Sequence, residues 1–110
     1  MEKKIKVGER EVNFKATAAT PMHYRNTFKG EDIFRDFAKM GDKGDDVLEN
    51  MDFGIFERVA YIMSEDFKKG VKFEDFLESF EVMDIISALP DIMELWESNM
   101  ATQSITPKNR

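Results

Sequence analysis

The sequence predicts an α+β domain in which an N-terminal β-hairpin packs on a mainly helical body of about four to six helices. Two observations lead to this fold class. Apolar and polar residues alternate near the start of the chain, and apolar residues further along recur at spacings of three and four. We therefore expect a single domain over residues 1–100, with the hairpin at 3–18, the helical body at 20–100 and a flexible C-terminal tail at 101–110.

The hairpin is predicted by two alternating segments, residues 4–7 and 12–16, which are separated by a short stretch that contains Gly8. The alternation places five apolar side chains on one face: Ile5, Val7, Val12, Phe14 and Ala16. A two-stranded ribbon is only marginally stable in water, so this face has to pack on the helices or on strands of another chain. The strand edges have two interpretations, because lysines can protect an edge and a free edge can accept a partner strand.

The first two helices are delimited by capping residues, proline and glycine. Thr20 is a candidate N-cap and Pro21 suits a first helical turn, so a helix should begin near Pro21 and stop near Gly30. Helical spacing from Ile33 predicts a second helix that ends at Gly41. The polar stretch at residues 41–46 is predicted as a loop, and it lacks the ligand spacing of a calcium-binding EF-hand.

The second half of the chain is predicted to be helical throughout. A long helix should run from Leu48 to about Lys69 and end at Gly70, followed by helical segments over residues 73–80 and 82–89. Pro90 lacks a backbone N–H and its ring clashes with the preceding turn. We therefore expect a helix boundary at 89–90 and a new helix that includes Trp96.

Composition argues against several function classes. The 110 residues include 35% charged residues, carry a formal net charge of −6, and contain one histidine and no cysteine. The net acidity argues against general nucleic-acid binding, and no apolar run is long enough for a membrane helix. A single histidine, His23, with no neighbouring nucleophile leaves no recognisable catalytic or metal site. We expect a protein that is not an enzyme, uses no cofactor or metal, and binds neither nucleic acid nor membrane.

The charge is unevenly distributed. Residues 1–29 carry 7 basic and 3 acidic groups, whereas residues 30–104 carry 7 basic and 19 acidic groups. The basic head of one copy could therefore meet the acidic body of another, which would give a weak homo-oligomer. The residues predicted to mediate this self-association are Lys4, Lys6 and Lys15. The alternative is an ordinary solvated surface.

The aromatic and methionine content indicates a protein-binding surface. Ten Phe and eight Met residues are many for a small core, and methionine-rich surfaces adapt to partners of varied shape. The candidate partner-binding residues are Phe34, Phe37, Phe76, Phe80 and Trp96. The alternative is that these side chains simply fill the core.

The order of several segments resembles the tail assembly chaperones of long-tailed, siphovirus-type bacteriophages and prophages of Gram-positive bacteria. In the first half the resemblance is carried by residues 14–25 (FKATAATPMHYR), then Phe28, Gly30, Asp32–Ile33 and Asp36–Phe37. In the second half it is carried by residues 73–77 (FEDFL), 83–84 (MD) and 88–96 (ALPDIMELW), followed by a polar end at 102–110. The resemblance covers nearly the whole chain, and none of these segments is a catalytic signature.

The resemblance implies a protein of the host bacterial cytoplasm that is absent from the mature virion. Such chaperones bind the tape measure protein, keep it soluble and recruit tail tube subunits during tail morphogenesis. In many of these phages a ribosomal frameshift yields a longer product whose extension contacts the tail tube protein, and residues 107–109 are a plausible place for the slippage site.

Two other function classes stay open. One is a small acidic interaction module with a regulatory or anti-defence role, in which the acidic body imitates nucleic-acid charge. The other is a minor structural component of the tail, or a head-completion protein. Stoichiometric binding to a host DNA-binding protein would favour the first, and retention in purified virions would favour the second.

Overall fold

The chain folds as an antiparallel β-hairpin followed by a helical body, which confirms the predicted α+β class. The structure is a computed structural model that describes residues 1–41 and 53–105, with side chains described over 1–38 and 53–100. The predicted loop residues 42–46, the predicted helix start at 48–52 and the end of the tail at 106–110 lie outside the described residues. The described elements are β1 (Glu2–Val7), β2 (Arg10–Lys15), α1 (Thr20–Thr27), α2 (Ile33–Gly41), α3 (Phe53–Met63), α4 (Glu65–Lys68), α5 (Phe73–Glu78) and α6 (Val82–Ile105).

The hairpin forms because its alternating apolar face is buried. Ile5 pairs with Val12 and Val7 with Arg10, and the turn between the strands holds Gly8 at φ +67°, which a side chain would make unfavourable. The five apolar residues predicted to share one face are all buried. β1 packs on α6 and β2 packs on α3 and α4, so the hairpin covers the helical body of its own chain.

The outer edge of β2 is occupied by the helical body. The backbone of Phe14 forms an isolated bridge with Ser64, and the backbone N–H of Asn13 donates to Glu65 Oε1 over 2.6 Å. This corrects the interpretation in which that edge is free to accept a partner strand, because its hydrogen-bonding groups at these two residues already have partners.

The first helix begins close to the predicted position, but Thr20 does not cap it. The N-cap is Ala19, and the buried Thr20 is the first helical residue. Its Oγ1 accepts a hydrogen bond from the Thr17 N–H over 3.0 Å. The threonine therefore closes the turn that leads from the hairpin into α1, whereas Pro21 occupies the first turn as predicted. α2 ends at Gly41, as predicted.

The single long helix predicted up to Lys69 is wrong, because the helix breaks at Ser64. Ser64 has an extended backbone at φ −78° and ψ 158°, and its Oγ accepts from the Phe67 N–H over 3.3 Å as the cap of α4. The same Oγ donates to the Tyr61 carbonyl at the end of α3 over 2.7 Å. The break exists because Ser64 pairs with Phe14 of the hairpin. This contact joins distant parts of the chain, so the spacing of apolar residues along the helix does not predict it.

The helix boundary predicted at Pro90 is also wrong. α6 runs without interruption from Val82 to Ile105 with Pro90 inside it, and it continues through residues 101–105 of the predicted tail. Pro90 is exposed, so the ring meets solvent and the carbonyl that lacks its helical donor lies on the outer side. Buried residues on both sides of the proline hold the helix against the core: Ile85, Ala88, Leu89, Ile92, Leu95 and Trp96.

The core is centred on α3, whose Val59 and Ala60 are fully buried. The hairpin face and the inner stripe of α6 join the same core cluster. Among the described residues, no helix is both long enough and apolar enough to cross a membrane.

Candidate functional site

One side of α6 presents apolar side chains to solvent along most of its length. At about 100° per residue, six apolar residues of this helix whose side chains the structure describes fall within an arc of about 100° that is turned away from the core. We call this surface the α6 flank; it consists of Val82, Met83, Ile86, Pro90, Met93 and Met100. It extends for about 27 Å along the helix axis, since each residue adds about 1.5 Å.

The flank is largely exposed in this fold. Val82 is 65% exposed and Met83 is 63% exposed, and Ile86 and Met100 also rank among the exposed large hydrophobic residues. Met93 is half-buried against the edge of the core. A row of exposed methionine and branched side chains on one helix face is typical of a surface that is covered by another protein.

Acidic side chains border the flank. α6 contains Asp84, Asp91, Glu94 and Glu97 and no lysine or arginine over its 24 residues. Glu97 falls within the arc of the flank, and the exposed Glu94 lies about 20° beyond its outer border. Glu94 forms an exposed ion pair with Lys3 of β1, with 3.8 Å between Oε1 and Nζ. The flank therefore combines an apolar strip with a negative border.

Phe34 of α2 adds an exposed aromatic ring beside α6. The ring is 51% exposed, and its centroid lies 6.0 Å from the centroid of Trp96. Trp96 lies between Met93 and Met100 along α6 and about 40° from Met100 around the helix. Phe34 therefore lies next to the C-terminal half of the flank, and the two together form the candidate site.

A buried polar network positions α2, and with it Phe34. The hydroxyl of Tyr24 in α1 donates to Asp36 Oδ2 in α2 over 2.7 Å, and Nε of Arg58 in α3 donates to the Tyr24 oxygen over 3.0 Å. Tyr24 and Asp36 are almost completely buried. Burial raises the pKa of the Tyr24 phenol, so the hydroxyl keeps the proton that it donates to the carboxylate.

The structure separates the predicted partner-binding residues into two groups. Phe34 is exposed, as a binding residue has to be. Phe76 is 1% exposed and Trp96 is 4% exposed, so both are core residues and their assignment to a binding surface is wrong for this fold. Phe37 is half-buried and stacks on Trp96, and Phe80 is half-buried against Phe76 and beneath the Arg10 guanidinium. By position, Phe34 and Phe37 lie against Trp96, whereas Phe76 and Phe80 contact each other.

The predicted self-association lysines lie on the outer face of the hairpin. Lys4, Lys6 and Lys15 are all exposed, and Lys6 and Lys15 have glutamates opposite them in the strand register. Other basic residues of the head meet the acidic body of the same chain, since Arg10 forms an ion pair with the buried Asp66 of α4. Part of the attraction between head and body is thus satisfied within one copy.

The predicted boundary at Pro90 concealed most of the flank. When residues 82–89 and 91–96 are treated as separate short helices, their outer residues form two unrelated groups. When α6 is treated as one helix, Met83, Ile86, Pro90, Met93 and Met100 repeat at spacings of three, four, three and seven on one side. This repeat of apolar residues is present in the sequence, but it can be recognised as one surface only when residues 82–105 form a single helix.

No protein-family model, no curated protein and no solved structure matches this chain.

Proposed function

We propose that this chain is a phage tail assembly chaperone that binds the tape measure protein in the host cytoplasm and is absent from the finished virion. The observation that carries the proposal is the α6 flank, in which Val82 and Met83 are each more than three-fifths exposed. The family resemblance in the sequence supports the same function. Such a surface is unfavourable in water unless a partner covers it, and a tape measure protein would offer long helices with apolar faces.

The geometry suits a helix that lies alongside α6. The flank has the length of about five helical turns, so a partner helix could bury several side chains at spacings of three and four. The negative border favours partner helices that carry lysine or arginine next to their apolar stripe. Individual contacts of this size are weak, and several copies on one long protein would supply strength through avidity.

The test is co-expression of this chain with the long coiled-coil-like protein encoded beside it. The soluble fraction of that protein is measured with the native chain and with the Met83→Ser, Ile86→Ser double variant. The matched control is Met22→Ser, which removes an exposed methionine of α1 outside the flank. We expect the native chain and the Met22→Ser variant to keep the partner soluble and the flank variant to lose most of this effect.

Equal activity of the flank variant and the control would overturn the assignment of the flank. The absence of a long coiled-coil-like neighbour, or its failure to co-purify with the native chain, would contradict the chaperone function itself. A copy retained in purified virions would indicate a minor structural protein instead. Intact-mass analysis of the products of the native gene shows whether a longer form exists to recruit the tail tube protein.

A further inference from the structure

A small pocket opens between the hairpin and the helices on a part of the surface that shares no residue with the α6 flank. It has a volume of about 240 Å³ and is built from the end of β2, the turn before α1, α1 itself, the end of α3 and α4. The residues that line it are Lys15, Thr17, Ala19, His23, Ile62, Met63, Ser64, Phe67 and Lys68. No carboxylate is among these lining residues, although the protein as a whole is strongly acidic.

Three of the lining side chains carry nitrogen donors. Within the part of the chain that the structure describes, Lys15 and Lys68 form no ion pair at 4 Å or less. The neighbouring Lys69 differs, because its Nζ donates to Glu65 Oε2 over 2.8 Å. The ring of His23 is held against Phe67, with 5.2 Å between their centroids.

Among the described residues, Glu2 is an acidic side chain that interacts with both pocket lysines, and it is already engaged elsewhere. Glu2 accepts a hydrogen bond from Asn13 Nδ2 over 2.6 Å, and this bond, followed by the charges of Lys15 and Lys68, lowers the pKa of its carboxyl. Glu2 lies opposite Lys15 in the strand register, and Lys15 and Lys68 both line the pocket. A second anion could accept charge-assisted hydrogen bonds from them.

The inner wall of the pocket is apolar. Ile62 and Met63 are buried side chains of α3, and the Phe67 ring and the Ala19 methyl complete the wall. A bare inorganic anion would gain nothing from this wall, whereas an anion with a short hydrocarbon body would bury apolar surface there. At about 240 Å³ the pocket is smaller than the roughly 300 Å³ at which sites for drug-sized ligands begin, which suits a body of only a few carbon atoms.

We propose that this pocket binds a carboxylate attached to a short apolar body. The carboxylate lies between Lys15, Lys68 and the His23 ring, and the apolar body lies against Met63 and Phe67. Two sources supply this chemistry, a free short-chain organic acid and the C-terminal residue of a protein partner. The inference does not depend on the proposed chaperone function.

His23 is the only histidine in the chain, so its ring signals in an NMR spectrum report on the pocket without assignment of the other residues. The ring shifts are followed at one fixed pH during titration with hexanoate, with its uncharged analogue hexanamide, and with acetate, which lacks the body. N-acetyl-leucine represents a peptide C-terminus. We expect saturable shifts with hexanoate or N-acetyl-leucine, and the tighter of the two identifies the source.

Charge variants complete the test. Lys15→Gln and Lys68→Gln should each weaken binding by about threefold, which is typical of one exposed charge contact. Lys69→Gln is the matched control and should leave the affinity unchanged, because that lysine pairs with Glu65 outside the pocket. Glu2→Gln should tighten binding, since it removes a competing carboxylate.

Three outcomes would overturn the proposal. Shifts that grow without saturation, shifts of equal size with hexanoate and acetate, or equal affinities for the Lys68→Gln and Lys69→Gln variants would each show that no built carboxylate site exists. All four variants alter exposed or half-buried side chains, and circular dichroism verifies that each is folded.

Discussion

Removal of one hydroxyl group tests the network that positions α2. The Tyr24→Phe substitution keeps the buried ring but deletes the donor to Asp36 Oδ2 and the acceptor for Arg58 Nε. The carboxylate then retains Arg58 and Arg35 as charged neighbours, at 3.7 and 3.6 Å between the nearest nitrogen and oxygen atoms. Both distances exceed that of a good hydrogen bond, so a buried carboxylate loses its best donor.

A hydrogen bond to a charged group contributes about 1.5 to 3 kcal/mol to stability, compared with about 0.5 to 1.5 kcal/mol for a neutral pair. The chain offers a matched neutral case in Tyr61, which is also buried and whose hydroxyl donates to the backbone carbonyl of Val71. We therefore expect Tyr24→Phe to lower the free energy of unfolding by about 2 to 3 kcal/mol and Tyr61→Phe to lower it by about 1 kcal/mol.

Urea denaturation measures both effects. Trp96 is the only tryptophan and is buried, so its fluorescence reports unfolding of the core, and far-ultraviolet circular dichroism reports the helices. With a slope of about 1 to 3 kcal/mol per molar urea, a difference of about 1.5 kcal/mol between the variants separates their midpoints by about 0.5 to 1.5 M. Equal midpoints for the two variants would refute the argument that the charged acceptor makes the Tyr24 hydrogen bond the stronger one.

Three further predictions concern single residues. Gly8→Ala should destabilise the protein more than Gly30→Ala in the same urea assay. Both glycines have positive φ, but only at Gly8 would a Cβ lie 2.6 Å from a side-chain oxygen, Oδ2 of Asp84. Equal losses of unfolding free energy in the two variants would contradict this. Pro90→Ala should raise the melting temperature by several degrees, since alanine is more favourable than proline inside a helix by up to about 3 kcal/mol, and an unchanged temperature would contradict this. Hydrogen bonds from Lys69 and from the Asn13 backbone amide lower the pKa of the Glu65 carboxyl, so its contribution to folding stability is present at neutral pH and is lost as the pH falls through the lowered pKa. The Glu65→Gln variant should therefore lose less stability than the native chain between pH 7 and about pH 3.5. An unaltered pH dependence would refute the role of this carboxylate.

The elements that the sequence predicted correctly are those decided by neighbouring residues. The alternation around Val12 and Phe14 is sufficient for a strand, because one face of a hairpin has to be buried. Pro21 suits the first turn of α1 because its fixed φ is helical and it lacks an N–H that would be unpaired there. In each case the determining signal lies within a few residues of the element.

The two incorrect helix boundaries were decided by contacts between distant parts of the chain. Periodicity continues through Ser64, but pairing with Phe14 extends the backbone there and begins a new helix. At Pro90 the local penalty is real, yet packing of Leu89 and Ile92 against the core on either side maintains the helix. The residue pattern of a single segment gives no information about the Ser64–Phe14 pairing or about packing of α6 on the core. Neither boundary could therefore be predicted from the sequence.

The excess of Phe and Met predicted a binding surface without giving its position. In the structure Phe34, Met83 and Met100 are exposed. Large aromatic rings such as that of Trp96 suit an interface, but they are also effective core residues, and Trp96 is 4% exposed. Exposure depends on which side of each helix faces the core, and for α6 that could be decided only once the helix was known to be continuous.

The charges of α6 also bear on which partners the flank can accept. If two copies paired flank to flank, Glu94 and Glu97 of one helix would approach the same acidic residues of the other, and no base on either helix would compensate. Like charges across an interface oppose association and so act against the wrong partner. The flank therefore disfavours pairing with its own copy and favours a different protein with basic residues beside its apolar stripe. Self-association, where it occurs, would have to use another surface, such as the outer face of the hairpin with its exposed lysines.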